Sequence, residues 1–348
     1  MNAIVFAGVA AAVGATIAVG ALVRPALAGR IAWPALAATL AAAVVVIGLG
    51  RVLSLGSWEF LIGMSVFALP VLLLLEAAAI ASGADGFARW MVMLGWGVVV
   101  FPATALVPLA LTVGCFAPDC GFEDFGAGLP LTVSAAAYVL LARVPAGVQE
   151  LAPRDRAAGR RVVLAGLVFW ASTAVWLAHL EGVVDEFIPR ILLAAVVGPV
   201  AGAVGWLLVD VLRDTRVSVG RSLALGLVAG MVAALPGAVS VAVPWSVIVG
   251  LLAGGLAALV YSVPRMRRAG LAPRWGFTIL TAAAVGFLAP PVSGDTIGLI
   301  FAARASVLVV PIVTLLGVSA FSVLMSVPVW ALVRRHAARE RIPDGIVG

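Results

Sequence analysis

Few side chains in this 348-residue chain can do chemistry. Asp124 opens an apolar run just after Cys120 and Gly121, where a carboxylate accepts N–H bonds from a first helical turn and faces the positive helix end. Asp124 is therefore either a structural cap or an acid that attracts a cation. Thr132 lies eight residues further, about two turns or roughly 12 Å deeper. A threonine hydroxyl can donate and accept hydrogen bonds, but unlike imidazole it cannot relay a proton near neutral pH. It lines a polar path, or it bonds the carbonyl four residues back in its own helix. Glu76 stands alone in Leu-Leu-Leu-Leu75-Glu76-Ala-Ala, and an acid at such depth costs a few kcal/mol unless it faces a cavity, a partner or the interface. His179, with Glu181, Asp185 and Glu186, reads as a loop that collects cations by charge alone or as ordinary solvated charge. Cys115 and Cys120 share one predicted loop and are a disulfide or two free thiols; two Cys without a nearby His cannot make a four-ligand zinc site. With no Ser/His/Asp set, His-rich motif or pair of intramembrane acids, neither an enzyme, a resident metal nor a cofactor is expected. His336, the other histidine, belongs to a basic tail.

The elements that hold these residues must live in lipid. The chain is 64% hydrophobic and 11% charged with a mean hydropathy of +1.19, more apolar surface than one water-soluble core can hide. In hydrocarbon every backbone polar group needs an internal partner, so only helices or a closed barrel can span. Apolar runs of about twenty residues without strand alternation select helices. Breaking the chain at its charge and Pro/Gly clusters predicts eleven spans, near 4–23, 33–50, 58–81, 88–112, 128–143, 162–180, 190–210, 221–241, 245–263, 275–290 and 306–333. Ala26-Leu27-Ala28 resembles a signal cleavage site, but Arg24 and Arg30 follow the first apolar run, whereas a signal peptide has its positive residues ahead of it.

Every basic residue is Arg, and the arginines crowd into alternate loops and the C-terminal tail, with only Arg51, Arg190 and Arg304 opposite. By the positive-inside rule the N-terminus is outside and the C-terminus inside, which an odd span number satisfies. The net charge of +6 is thus a topology signal rather than a sign of nucleic-acid binding, and the arginine clusters are placed to touch anionic membrane lipid. One transmembrane domain over 1–333 and a short cytoplasmic tail over 334–348 are expected. Five spans lie on each side of the 144–161 loop, so the second five stand upside down relative to the first. That is the arithmetic of an inverted repeat with an extra last helix.

Two stretches carry a resemblance. Phe122-Glu-Asp124-Phe125-Gly126-Ala127-Gly128-Leu-Pro-Leu-Thr132-Val-Ser-Ala135 resembles the D-F-A-G-G-x-x-V-H-x-x-A signature of the ammonium transporter (Amt/Mep/Rh) family. Gly205-Trp206 through Asp210 and Arg213 to Ser218, then Gly226 through Gly230 to Pro236-Gly237, and Val243-Pro244-Trp245 through Gly250 to Gly254, resemble its G-W-x-x-x-E-W-x-x-x-x-K-P-S, G-A-I-A-G-L-V-x-x-T-P-A and I-G-x-x-A-G blocks in order. Trp96 through Pro102 extends the likeness into the fourth span.

The resemblance implies a homotrimer of eleven-helix subunits in the cytoplasmic membrane, each with its own pore for ammonium or ammonia, and a possible cytoplasmic regulatory protein. It places Thr132 and Thr281 where the family has paired pore histidines, and His179 where it has a gating Phe on the sixth span. Leu69 and Trp176 complete the expected lining, and Asp124 is the retained structural acid of the outer vestibule. The family's vestibule Trp and Ser are replaced near Thr112 and Val183. The expected function is a channel for ammonium, ammonia or a similar small polar solute; the alternative is a pore-degenerate sensor or assembly subunit.

Overall fold

The structure, a computed structural model, describes residues 3–27, 32–114, 121–142, 156–213, 219–295 and 298–339. Cys115 and Cys120 lie outside them. Spans 1 to 3 are Ala3–Leu27, Trp33–Val52 and Trp58–Ala81. Span 4 is one continuous run of Gly86–Leu94, a π-helical Gly95–Val100 and Phe101–Gly114, the wide turn lying just ahead of Pro102, which has no N–H to donate. Span 5 joins Leu129–Val133, also π-helical, to Ser134–Tyr138 and Val139–Leu141. Spans 6 to 9 are Arg156–Leu180, Phe187–Leu212, Val219–Ala234 and Val243–Ser262. A short helix, Pro264–Ala269, leads into span 10, Leu271–Ser293, and span 11 is Val309–Arg339. Eight of these are long and apolar enough to cross a membrane, and the shorter apolar helices Ala7–Leu22, Leu129–Leu141 and Val219–Ala234 bring the described total to eleven (8 + 3).

Helix ends differ from the sequence reading where a local rule decides. Span 8 stops at Ala234 instead of near 241, because Pro236 disfavours helical backbone at the residue before it. The carbonyls just past that helix are then satisfied from outside: Phe125 and Gly126 donate their N–H groups to the carbonyls of Pro236 and Leu235 at 3.0 and 2.8 Å. Span 11 runs on to Arg339, so the expected tail begins inside a helix.

The packing carries the repeat. In the first half span 1 packs on span 3, span 2 on spans 3 and 4, span 3 on span 4, and span 4 on span 5. Adding five to each number gives the pairs of the second half: 6 on 8, 7 on 8 and 9, 8 on 9, 9 on 10. The halves meet along spans 1 and 6 and along spans 5 and 10, and span 11 closes over spans 4, 5 and 10. Glu76, fully buried, is not alone as its sequence neighbourhood suggests. Arg89 from the first turns of span 4 donates to its carboxylate, and His336 of span 11 lies 3.9 Å from Asp85 beside them.

Candidate transport path

A path between inverted halves has to follow the seam where they meet, so the side chains there set its chemistry. Span 5 divides itself between the two halves. Leu131, Ala135 and Tyr138 pack into the core of the first half, and Leu129 and Val133 into that of the second. Thr132 falls on the strip between these faces, half-buried, in the widened π turn. Its hydroxyl donates to the Gly128 carbonyl at 2.6 Å.

Asp124 sits just above this strip. Its two carboxylate oxygens accept the N–H groups of Gly128 at 2.6 Å and Leu129 at 3.0 Å, so it caps span 5. Glu123 beside it is half-buried, with its Oε1 shielded from solvent and lacking a hydrogen-bond partner. Burial raises both acids to about 7. For Glu123 the Ser240 hydroxyl and the Arg190 guanidinium oppose the rise; for Asp124 the two backbone N–H bonds oppose it and the Glu123 charge adds to it. Arg190 in turn donates to the Ser240 carbonyl at 3.0 Å and pairs with Asp295, tying spans 7, 8 and 10 together at this end.

Where span 6 crosses spans 1 and 3, aromatic rings fill the seam. Trp176 stacks on Phe67 with centroids 4.8 Å apart, lies 5.6 Å from the His179 ring, and donates its Nε1–H to the Gly126 carbonyl at 3.3 Å. His179 is in the last turn of span 6 and 7% exposed, not in a solvated loop; only Glu181, Asp185 and Glu186 occupy the loop. Gly8 and Gly63 make room for the ring, since a Cβ on them would come within 2.5 and 3.1 Å of His179 Nε2. Sequence reasoning passed over these two glycines and Phe67; an i, i+4 pair such as Gly63 and Phe67 on one helix face could have suggested a small-against-large fit.

Thr281 is placed elsewhere. On span 10 Gly276 abuts the Ala136 carbonyl of span 5 and Gly286 abuts Ala233 of span 8. At 100° per residue Thr281 is about 140° from both, on the opposite side, with its hydroxyl bonded to the Phe277 carbonyl at 2.8 Å. The described contacts do not bring Thr132 and Thr281 together; Phe287, whose Cε2 would lie 3.3 Å from a Cβ on Gly128, is what span 10 offers to the top of span 5. Leu69 is half-buried on span 3, packed against the core of the first half. No group of three or more His, Cys, Asp or Glu able to hold a metal occurs among the described residues.

Fold and seam together define a polytopic all-α membrane protein built as an inverted repeat with an extra last helix. The family model described as Ammonium Transporter Family matches residues 168–333. Among solved structures, a mutant Mep2 from Candida albicans superposes with a TM-score of 0.76 at 18% identity over 96% of this chain and 85% of that one. Saccharomyces cerevisiae Mep2 gives 0.68 at 17% over 98% and 86%, and a structure described as "Sensor Amt Protein" gives 0.66 at 13% over 93% of each chain. Among curated proteins, none matches. By its second half in sequence and by its whole fold, the chain is similar to ammonium transporters.

Proposed function

We propose that this protein is a channel or transporter that passes ammonium, ammonia or a similar small polar solute along the seam between its two halves, by way of Thr132. The observation that carries the reading is the coincidence of the family match over 168–333 with a Mep2-like fold over 96% of the chain. The Thr132 hydroxyl in place of an imidazole favours the neutral molecule, because a threonine cannot shuttle the proton that ammonium leaves behind. His179 is the one imidazole at the seam. A homotrimer with one path per subunit, residence in the cytoplasmic membrane, N-out and C-in orientation and a cytoplasmic regulator of the tail belong to the same reading.

The test is methylammonium uptake into proteoliposomes, wild type against Thr132→Trp. Flux abolished by the bulky side chain supports the path; equal flux in both removes it. A second reading, a sensor that binds ammonium without passing it, is favoured by the rings of Phe67, Trp176 and His179 filling the seam. The Sensor Amt likeness agrees with it. Ammonium binding by calorimetry with no uptake supports that reading, and robust uptake excludes it.

A further inference from the structure

Buried side-chain atoms without a hydrogen-bond partner are rare among the described residues, and three of the five belong to one cluster: Glu76 Oε2, Arg89 Nε and Asp85 Oδ1. They lie at the end of the bundle where span 3 finishes and span 4 begins. Glu76 and Arg89 are joined through Glu76 Oε1 and a terminal nitrogen of Arg89, which leaves over one carboxylate oxygen and the inner nitrogen of the guanidinium. Asp85 stands at the start of span 4 one turn before Arg89, so the two side chains share a helix face. Its carbonyl accepts the Arg89 N–H at 2.8 Å, but its carboxylate caps nothing. Two leftover acceptors and one leftover donor are the complement of one water molecule, which donates two hydrogen bonds and accepts up to two. In charge the cluster is unbalanced: Arg89 against Glu76 and Asp85 leaves −1 (1 − 2). The group that can supply the missing charge is His336 in the last turn of span 11, whose Nδ1 lies 3.9 Å from Asp85 Oδ2.

We propose that a bound water joins Glu76, Arg89 and Asp85, and that His336 closes this network as a proton-operated latch holding the end of span 11 on the start of span 4. An imidazole takes up its charge between about pH 8 and 5, where no other unperturbed side chain does. Charged, His336 brings the cluster to neutrality; neutral, it gives Asp85 no ion pair. The other titratable or charged groups on the helices packed against span 11 are few: Arg89 of span 4, Tyr138 of span 5 and Arg274 of span 10. Arg89 holds Glu76, the Tyr138 hydroxyl donates to the Val92 carbonyl at 3.3 Å, and Arg274 donates to the Tyr261 carbonyl at 2.7 Å. On its own helix, Arg334 and Arg335 are exposed and repel a charged imidazole. Asp85 is therefore the group that makes that charge favourable. Earlier in span 11 Trp330 is tied to the Tyr138 carbonyl at 2.7 Å, so the latch governs the turns beyond that anchor. It is independent of what the seam conducts, and rests on the C-in orientation proposed above only in reading cytoplasmic pH.

The experiment uses the full chain in nanodiscs, where both faces meet the same buffer, and reads hydrogen–deuterium exchange of the backbone over 330–339 at an acid and an alkaline pH. Wild type is compared with His336→Gln at each pH, so that the intrinsic pH dependence of exchange cancels. Near pH 5.5 wild type should exchange about two- to fivefold more slowly than His336→Gln, the size of a partly exposed ion pair, and near pH 8 the two should match. Asp85→Asn, which removes no cap bond, should exchange like His336→Gln at the acid pH. Equal exchange of wild type and His336→Gln near pH 5.5 overturns the latch, and so does a difference that persists near pH 8, which marks a merely structural histidine. Should Asp85→Asn fail to fold, the His336→Gln comparison still decides. The water is tested by a high-resolution density map: density within hydrogen-bond distance of Arg89 Nε, Glu76 Oε2 and Asp85 Oδ1 supports the bridge, and side chains closed directly on one another overturn it.

Discussion

The two halves of the molecule share a plan of helix contacts but hold together by different means. In the first half large side chains do the packing: Trp96, Phe101, Tyr138, Met64 and Leu72 are fully buried around spans 2 to 5, and Trp330 of span 11 donates to the Tyr138 carbonyl at 2.7 Å. In the second half spans 7, 8 and 9 approach backbone to backbone through Gly198, Gly202, Gly226, Gly230, Gly250 and Gly254. Lipid provides no hydrophobic drive between helices, so both designs rest on close contact and internal hydrogen bonds. Their tolerance differs, however. A gap between side chains can be refilled by another side chain, whereas a carbonyl facing a glycine leaves nothing to adjust. The family model matches 168–333, the backbone-packed half and the end of the chain, while the fold likeness covers 96% of the residues. Backbone contact dictates the amino acid; side-chain contact dictates only volume.

The largest effect that should separate the halves comes from the buried ion pair of the first. Glu76→Leu leaves the Arg89 guanidinium without its counter-charge, a loss of about 3–5 kcal/mol. Adding Arg89→Leu should recover most of it, because this packing can be repaired by a second side chain. Thermal melts of the single and double variants in one detergent measure both; a double variant no better than the single would end the distinction. Close behind stands Gly254→Ala. Its Cβ would overlap the Gly202 carbonyl oxygen and lie 2.7 Å from the carbonyl carbon, so about 3 kcal/mol should be lost. No second substitution at Gly202 should rescue it.

The junction between the halves supplies the next prediction. Glu123 and Asp124 have ordinary values of 4.5 and 3.8 and are raised to about 7 in the fold. Groups raised on folding contribute stability that is complete below about pH 4 and is lost as pH climbs through about 7. The melting temperature should therefore fall between roughly pH 4.5 and 7, and the slope should flatten in Glu123→Gln. A profile that rises over that window would show the junction carboxylates to be stabilised as charges instead. Smaller still is Trp96→Phe, which gives up the Nε1–H bond to the Ser134 hydroxyl, 3.1 Å long, for a cost of about 1 kcal/mol in the melt.

The contrast also explains what the sequence disclosed. Eleven spans and two inverted halves were legible because apolar run length and arginine alternation are one-dimensional signals. Asp124 was readable as a cap because its N–H partners, Gly128 and Leu129, are its own neighbours in sequence. The partner of Glu76 was hidden although thirteen residues away, since Arg89 counts equally well as a loop charge until spans 3 and 4 are seen to pack. The direction of Thr281 was hidden for a related reason. Spacing along span 10 fixes depth, but its facing depends on which glycines lie against spans 5 and 8, and nothing local declares that. His179 was misplaced because the acids that follow it gave the stretch the look of a loop, whereas glycines on spans 1 and 3 had already made room for its ring.

The smallest effect is the sharpest control on the comparison. Gly48 of span 2 and Gly317 of span 11 also sit inside helices, but a Cβ at either meets no other atom within 4 Å. Alanine there adds helix propensity and removes freedom from the unfolded chain without touching a neighbour, so Gly48→Ala and Gly317→Ala should each gain roughly 0.5–1 kcal/mol or be neutral. The same chemical change thus has opposite sign at Gly48 and at Gly254. If alanine at both sites destabilised the protein equally, the glycines of spans 7 to 9 would be serving helix flexibility and not contact, and the division into a side-chain half and a backbone half would fall.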